Sequence, residues 1–195
     1  LFTSDNGSFM YSKKNERDHV ADPTIQSYDP GHHQANGKLR GTKADVWEAG
    51  HRVPFFARWP GEVQPGSKSA KTICHLDLLA TTAEVAGATI PKGAAADSYS
   101  FLSLLKGKDE DHQRPPVINH SAGGMFAIRD GKWKLVLGNG SGGRQAPKGK
   151  PFQQPYHLFD LETDLAETTN LAKKEIKVAQ RLENLFQPIH RKEGK

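Results

Sequence analysis

Cysteine is almost absent from this sequence, because Cys74 is the single one among 195 residues. Neither an intrachain disulfide nor a cluster of zinc-binding thiolates can form, so the fold does not depend on an oxidising compartment. Long apolar runs are also missing, since no stretch approaches the roughly 20 residues of a membrane span. The sequence therefore predicts a protein that has no thiolate metal site and does not cross a membrane.

A strong excess of one charge is absent as well. The 27 Lys and Arg residues exceed the 22 Asp and Glu residues by a net charge of +5. This balance favours anionic partners in general, but the basic residues are scattered and form no recognisable nucleic-acid-binding module. The chain opens on Leu1 without the basic and apolar regions of a signal peptide, so no targeting signal can be read. We expect no nucleic-acid interface.

Residues 1–110 show the pattern of an α/β core. The predicted elements are a strand ending at residues 1–3, a polar loop over residues 8–41, a strand over residues 52–59, a helix over residues 75–86, and a short helix that begins after Ser98 or Ser100 and ends at Leu105. Helical spacing predicts that the longer helix buries one apolar face. The residues of that face are Leu76, Leu79, Ala80 and Ala83.

Residues 111–195 change character, because short alternating segments replace the helices. The pattern predicts four strands at residues 117–119, 125–129, 132–137 and 156–161. Asp130-Gly131 is a typical hairpin turn between the second and third strands. The last segment, residues 175–189, predicts an amphipathic helix packed on a sheet. Its apolar face comprises Ile176, Ala179, Leu182, Phe186 and Ile189. The second part is therefore predicted to be a small α+β subdomain.

Two short segments carry side chains suited to chemistry. Asp5 and Asn6 follow the first strand, and a carboxylate beside an amide oxygen suits a hard divalent cation. The same tripeptide with Gly7 is also a good turn sequence. Lys43 ends the long loop, where an ammonium can bind a tetrahedral anion, although a solvated surface lysine is the alternative. Glu48 and Arg52 are expected to pair and hold this loop.

These segments resemble the second half of the sulfatase family. The resemblance rests on Asp5-Asn6, on residues 39–61 (LRGTKADVWEAGHRVPFFARWPG), and on two later blocks at residues 126–137 and 157–172. It implies the C-terminal part of an alkaline-phosphatase-like sulfatase fold, with α/β core residues 1–110 and a subdomain at residues 111–195 made of a four-stranded antiparallel sheet and a C-terminal helix. Two departures are visible, since the usual Glu-Gly-Gly is Glu48-Ala49-Gly50 and the usual Asp-Pro is Asp164-Leu165.

The resemblance also implies a function, the hydrolysis of aryl or carbohydrate sulfate esters. Asp5 and Asn6 would be ligands of calcium or magnesium, and Lys43 would contact the sulfate and assist the leaving group. The formylglycine nucleophile of the family arises in a C/S-x-P-x-R motif, which this sequence lacks, so we expect it upstream. The chain alone is expected to be inactive, with the N-terminal part of the same enzyme as its partner. The family habit implies a periplasmic or secreted protein, lysosomal in a eukaryote, that acts on sulfate esters such as sulfated polysaccharides.

Three histidines are further candidates. His32 and His33 lie in the loop before Lys43, where His32 could contact the substrate and His33 could donate a proton to the leaving oxygen. His120 ends a predicted strand and could line the pocket. A solvated loop position is the alternative for His32 and His33. The glycine-rich segment 138–143 matches a dinucleotide-binding fingerprint, but the prolines that follow forbid the required helix, so a surface loop is predicted.

Two other functions remain open on the sequence. The chain could be a non-catalytic α+β module that binds sulfated glycans or a catalytic chain. It could also belong to a related phosphoester hydrolase that uses the same metal geometry. Hydrolysis of aryl sulfates, and its loss without Lys43, would separate these possibilities from a sulfatase.

Overall fold

A computed structural model describes residues 1–9, 11–12, 27–28 and 35–192. The chain divides into two compact units, one formed by Leu1–Phe2 with Phe55–Val117 and the other by Thr3–Pro54 with Ile118–Lys195. The predicted boundary between an α/β core and an α+β subdomain after residue 110 stays a prediction. In the part of the chain that is described, no helix is both long and apolar enough to span a membrane.

The described elements are short strands and helices, with four of the strands in succession before the last helix. The strands are β1 (Phe2–Thr3), β2 (Tyr11–Ser12), β3 (Ser27–Tyr28), β4 (Phe55–Phe56), β5 (Val117–His120), β6 (Phe126–Asp130), β7 (Trp133–Val136) and β8 (His157–Asp160). The helices are α1 (Glu48–His51), α2 (Asp77–Val85), α3 (Leu102–Leu105) and α4 (Ile176–Lys192), with a 3-10 turn at Asp109–Asp111. Mixed α/β structure with a late strand meander and a closing helix matches the order of elements that the sequence predicts.

The meander is a four-stranded sheet in the order β5-β6-β7-β8, as predicted. β6 and β7 run antiparallel, and Asp130 pairs with Trp133 around the predicted hairpin turn. Gly131 has φ +57° in that turn, a conformation that glycine adopts at little cost. β7 also pairs antiparallel with β8.

Side chains alternate between the two faces of this sheet, and each face carries its own cluster of buried residues. On one face the helix α4 packs against strand residues such as Ile128 and Leu135 through Leu182 and Phe186. The other face covers Val46 and Trp47, which precede α1. The core residues of this second face are Val46, Trp47, Met125, Ala127, Val136, Phe159 and Leu161. The segment that contains Lys43 is therefore held on the sheet face opposite to α4.

Several predicted details of the elements are wrong. Ile176, predicted on the buried face of α4, is 63% exposed because it is the first residue of that helix. The strand predicted over residues 52–59 is reduced to β4. The long polar loop contains two short strands, since β2 and β3 pair in parallel.

The helix α2, in the first unit, buries polar residues instead of its predicted apolar face. Leu76 is 62% exposed and Leu79 is 55% exposed, whereas Asp77 and Thr81 are buried. The Asp77 carboxylate accepts hydrogen bonds from the backbone N–H groups of Cys74 and Tyr99. A buried carboxylate that collects such donors turns its face of the helix inward, at the expense of the leucines.

Candidate functional site

The turn formed by residues 4–7 follows β1 and carries the two predicted metal ligands. Asn6 Nδ2 donates to Asp5 Oδ1 over 2.8 Å, and Ser4 Oγ donates to the backbone oxygen of Asn6 over 2.9 Å. Asp5 is exposed and Asn6 is half-buried. The carboxylate and the amide thus lie side by side at the carboxyl end of a strand.

Hydrogen bonds attach this turn to the loop that contains Lys43, which we call the lysine loop (residues 41–47). Gly7 N–H donates to the backbone oxygen of Gly50 over 3.0 Å, and Lys43 N–H donates to that of Ser8 over 3.0 Å. Asn36 also holds Ser8, since its Oδ1 accepts from Ser8 N–H over 2.9 Å and its Nδ2 donates to the backbone oxygen of Ser8 over 3.2 Å. The structure therefore brings the Asp5-Asn6 turn and the lysine loop next to each other.

Two glycines permit this close approach. A Cβ atom on Gly7 would lie 1.5 Å from the backbone oxygen of Ala49, and one on Gly50 would lie 2.1 Å from that of Asp45. Neither contact is possible for a residue with a side chain, so glycine is required at both positions. Ala49, where the family pattern has glycine, lies inside α1, and helical backbone accepts alanine without strain.

A buried carboxylate shapes the lysine loop. Asp45 is 1% exposed. Its Oδ2 accepts from Thr42 N–H over 2.9 Å, and its Oδ1 accepts from Gln145 N–H over 3.1 Å. Lys43 sits between these anchored residues with its side chain exposed. Sequence reasoning missed Asp45, because an aspartate in a glycine-containing loop reads as an ordinary turn residue.

A cluster of buried charges holds α1 on the sheet. The predicted pair exists, with Arg52 Nη1 3.2 Å from Glu48 Oε2. Lys134 from β7 also reaches Glu48, with Nζ 3.0 Å from Oε1, and lies 2.8 Å from Glu167 Oε1. Glu167 Oε2 in turn accepts from Glu48 N–H over 2.7 Å. The sequence did not indicate Lys134 or Glu167, because most lysines and glutamates are exposed.

The pKa values of the ionisable groups in this cluster are shifted in different directions. Burial alone raises the pKa of Glu48, but the attraction of Lys134 and its neighbours lowers that pKa to about 2. Burial raises the pKa of Glu167, because the attraction of Lys134 does not offset the loss of water. Burial and the nearby ammonium of Lys134 lower the pKa of His51 to about 3, so its ring is neutral at pH 7. Glu48 is the firmly ionised member, since Arg52 and Lys134 both bind it.

Of the three histidines predicted for the site, His120 alone lies among the described residues. His32 and His33 lie outside the described residues. His120, at the end of β5, is exposed and has Nδ1 2.9 Å from the backbone oxygen of Ser121. Ala122, two residues after His120, donates its N–H to the backbone oxygen of Ala44 over 3.0 Å. The strand end that carries His120 is thus hydrogen-bonded through its turn to the lysine loop, and the roles predicted for the histidines stay predictions.

A complete metal site is not found among the described residues. They contain no group of three or more His, Cys, Asp or Glu residues arranged to hold an ion. Asp5 and Asn6 offer oxygen donors, the ligand type that calcium and magnesium prefer. Their chemistry fits part of such a site, because calcium takes six to eight oxygens.

Comparison with known proteins decides the family. The family model described as Sulfatase matches residues 1–88, which include the Asp5-Asn6 turn and the lysine loop. An N-acetylgalactosamine-6-O-sulfatase of Bacteroides thetaiotaomicron is 29% identical over 191 residues, 97% of this chain and 35% of the relative. The chain belongs to the sulfatase family.

Further relatives in this family include one whose name refers to a polysaccharide. An ulvan-active sulfatase of Formosa agariphila is 30% identical over 181 residues, 79% of this chain and 34% of the relative. A solved structure from work on glycosaminoglycan metabolism by Bacteroides thetaiotaomicron has a TM-score of 0.70 and 30% identity, over 82% of this chain and 33% of the other. The chain therefore spans about a third of the length of these relatives.

Proposed function

We propose that this chain is the C-terminal portion of a sulfuric ester hydrolase of the alkaline-phosphatase-like type. The complete enzyme would cleave aryl or carbohydrate sulfate esters, with its formylglycine nucleophile in the upstream part. One observation carries the proposal, the pair of backbone hydrogen bonds that joins Gly7 to Gly50 in α1 and Ser8 to Lys43 in the lysine loop. These bonds support the proposal because they bring the backbone that follows the Asp5-Asn6 turn next to the backbone of Lys43, so that groups suited to a cation and to a tetrahedral anion come from adjacent segments of one unit.

Lys43 would bind the sulfate group. Its side chain is exposed, while its backbone is fixed by Ser8 and by the neighbouring Thr42–Asp45 hydrogen bonds. An ammonium held in this way can contact the sulfate oxygens and offset the negative charge that develops on the leaving oxygen as the S–O bond breaks. A donor of this kind costs little reorganisation during the reaction, because the loop is already in place.

Asp5 and Asn6 would supply two oxygen ligands of a calcium or magnesium ion, with the remaining ligands from upstream residues. A bound cation would polarise the sulfate as a Lewis acid. The side chains of this chain have a narrower role, which is to hold the cation beside the anion that Lys43 contacts. Glycine at position 7 keeps that turn against α1, since any larger residue would collide with Ala49.

The substrate class and the compartment are part of the same proposal. Relatives described as N-acetylgalactosamine-6-O-sulfatase and ulvan-active sulfatase support a sulfated carbohydrate as the substrate. The family habit supports a periplasmic or secreted enzyme. The alternatives, a non-catalytic glycan-binding module and a phosphoester hydrolase, are outcomes of the test below.

The test uses the complete protein and its Lys43→Ala variant with a small aryl sulfate. We expect kcat to fall by about 10² to 10³, the usual loss for one donor that stabilises developing charge. Lys38→Ala is the matched control, because Lys38 is an exposed lysine shortly before the same loop. Thermal unfolding of all three proteins checks that folding is retained.

Two results would contradict this proposal. Full activity of Lys43→Ala would remove Lys43 from the site. Absence of sulfate-ester hydrolysis in the parent would leave either a phosphoester hydrolase, if phosphate esters are cleaved, or a binding module, if sulfated glycans bind unchanged.

A further inference from the structure

A cavity of about 460 Å³ adjoins the lysine loop within the second unit. Its walls are formed by residue 44, by the turn at residues 121–124 after β5, and by the glycine-rich segment, extended here to residues 138–149. The lining includes Ala44, Ala122, Gly123, Gly142, Arg144 and Lys148. Ala44 directly follows Lys43, so the cavity begins one residue from the proposed sulfate contact.

The three wall segments are joined by hydrogen bonds. Gly123 N–H donates to the backbone oxygen of Gly142 over 2.7 Å, and Val46 N–H donates to that of Ser141 over 2.9 Å. Asp45 Oδ1, which accepts from Gln145 N–H, ties the glycine-rich segment to the lysine loop a second time. The cavity is therefore a preformed feature of the unit, built on the buried Asp45.

The glycines serve this packing and do not form an anion cradle. A Cβ atom on Gly143 would lie 2.3 Å from the backbone oxygen of Ala44, and one on Gly123 would lie 2.5 Å from that of Gly142. Their amides are also engaged, since Gly142 N–H donates to the backbone oxygen of Lys148 and Gly143 N–H donates to Ser141 Oγ. Gly123, Gly142 and Gly143 therefore offer no spare N–H group to a ligand, and the charged groups available to recognise one are side chains.

The side chains that can recognise a ligand are both cationic. The residues that line the cavity include Arg144 and Lys148 and no acid. The guanidinium of Arg144 stacks on the Phe9 ring, with its central carbon 3.2 Å from the ring centroid. Among the described residues, no carboxylate lies within ion-pairing distance of either cation. A stacked guanidinium keeps its edge available for bidentate contact with a carboxylate or sulfate.

We propose that this cavity is a substrate subsite in which Arg144 and Lys148 bind a second anionic group of the substrate, a sulfate or a carboxylate next to the scissile sulfate. The inference rests on the proposed function, since it places the subsite beside Lys43. It implies that the enzyme prefers polyanionic saccharides to substrates that carry one isolated sulfate. Arg144 and Lys148 are then specificity determinants of the reaction.

The experiment compares three substrates of the complete protein: an aryl monosulfate, a disulfated disaccharide, and a monosulfated disaccharide that carries a carboxylate. The variants are Arg144→Gln, Lys148→Gln and the double variant. We expect the double variant to lower the ratio of kcat/KM for an anion-bearing disaccharide over the aryl sulfate by about 10-fold to 100-fold, mainly through KM. Added salt should shrink this difference, because exposed charges are screened.

A matched control and a comparison of the two disaccharides complete the design. Lys150→Gln removes an exposed lysine two residues from Lys148 that does not line the cavity, and it should leave the ratio unchanged. The disaccharide whose ratio falls identifies the second anion as sulfate or carboxylate. An equal loss on all three substrates, or no loss on either disaccharide, would overturn the subsite.

Failure of the proposed function itself would be recognised separately. If the parent cleaves none of the substrates, calorimetric titration with the same two disaccharides replaces kinetics. Weaker binding to the double variant, with binding to Lys150→Gln unchanged, would retain the anion subsite without the hydrolysis. Equal binding to the parent and the double variant would refute it.

Discussion

Replacing Lys134 by methionine would test whether the buried charge cluster holds α1 and the lysine loop on the sheet. Methionine keeps most of the volume and removes the ammonium that lies 3.0 Å from Glu48 and 2.8 Å from Glu167. Removal of one partner from a buried ion pair costs about 3–5 kcal/mol, because it leaves an uncompensated charge. Arg52 still balances Glu48, so the unmatched group is Glu167, and we expect a loss at the lower end, about 3 kcal/mol.

The loss should depend on pH in a defined direction. The pKa of Glu48 is lowered to about 2 in the parent, so stability from this group is present above the unfolded pKa and is lost as pH falls towards 2. In the variant, both carboxylates lose their nearest cation and their pKa values rise. A folded state that binds protons more readily than the unfolded state gains stability as pH falls. The difference in the free energy of unfolding between parent and variant should therefore become smaller as the pH falls from 7 to 4.

The measurement is urea unfolding of the complete protein, read by pulsed hydrogen exchange in peptides from β7 and α1. This readout reports the local free energy of opening and not that of a distant domain. Lys132→Met is the matched control, because Lys132 also pairs with a carboxylate, Asp160 at 2.7 Å, but its own side chain is exposed, and the loss of stability should be clearly smaller. Adding Glu167→Gln to Lys134→Met should recover much of the lost stability.

The reasoning would be refuted by either of two outcomes. One is a Lys134→Met variant that opens as rarely as the parent at pH 7. The other is a difference in the free energy of unfolding between parent and variant that stays constant, or increases, as the pH falls. Either would mean that Lys134 contributes through its alkyl chain alone and that the buried charges are solvated by water.

Two further predictions concern the site and its pH dependence. Gly7→Ala should abolish most activity, because its Cβ would lie 1.5 Å from the backbone oxygen of Ala49 and must push the Asp5-Asn6 turn off α1. Gly66→Ala is its control in the same kinetic assay, because Gly66 has a positive φ of +74° but a Cβ there would meet nothing within 4 Å, so its strain stays in an exposed turn. Equal activity of the two variants would contradict the packing argument. His51 should remain neutral well below pH 6 in the folded protein, because burial and Lys134 lower its pKa to about 3. The unfolded state binds a proton at His51 below about pH 6.5, so the free energy of unfolding should fall as the pH drops below that value. NMR titration of the His51 ring checks this, and a midpoint near 6.5 would disprove it.

Local patterns in the sequence were sufficient for several parts of the fold. The hairpin at Asp130-Gly131 and the face of α4 that carries Leu182 and Phe186 follow from turn chemistry and helical period. The Glu48–Arg52 pair follows from i,i+4 spacing, which places both side chains on one side of a helical turn. Each of these features depends on residues close together in the chain.

The face of α2 shows where such patterns fail. Leu76 and Leu79 have the spacing of a buried stripe, yet they are exposed within the described structure, and Asp77 is buried. Arg114 Nε lies 2.8 Å from Asp77 Oδ2, and this partner is 37 residues away. A hydrophobic period cannot show that a carboxylate has such a partner, so it assigns the helix face incorrectly.

By itself, the sequence determined the family, the order of elements and the candidate residues Asp5, Asn6 and Lys43, because motifs and periods are local properties of the chain. The tertiary structure alone decided that the segment around residue 7 lies on the lysine loop, that Lys134 is a core residue, and that Arg144 faces a cavity beside residue 44. These arrangements join residues that are far apart in the chain, such as Ser8 with Lys43 and Asp45 with Gln145. They depend on which backbones can approach and which charges can be balanced after the chain has folded.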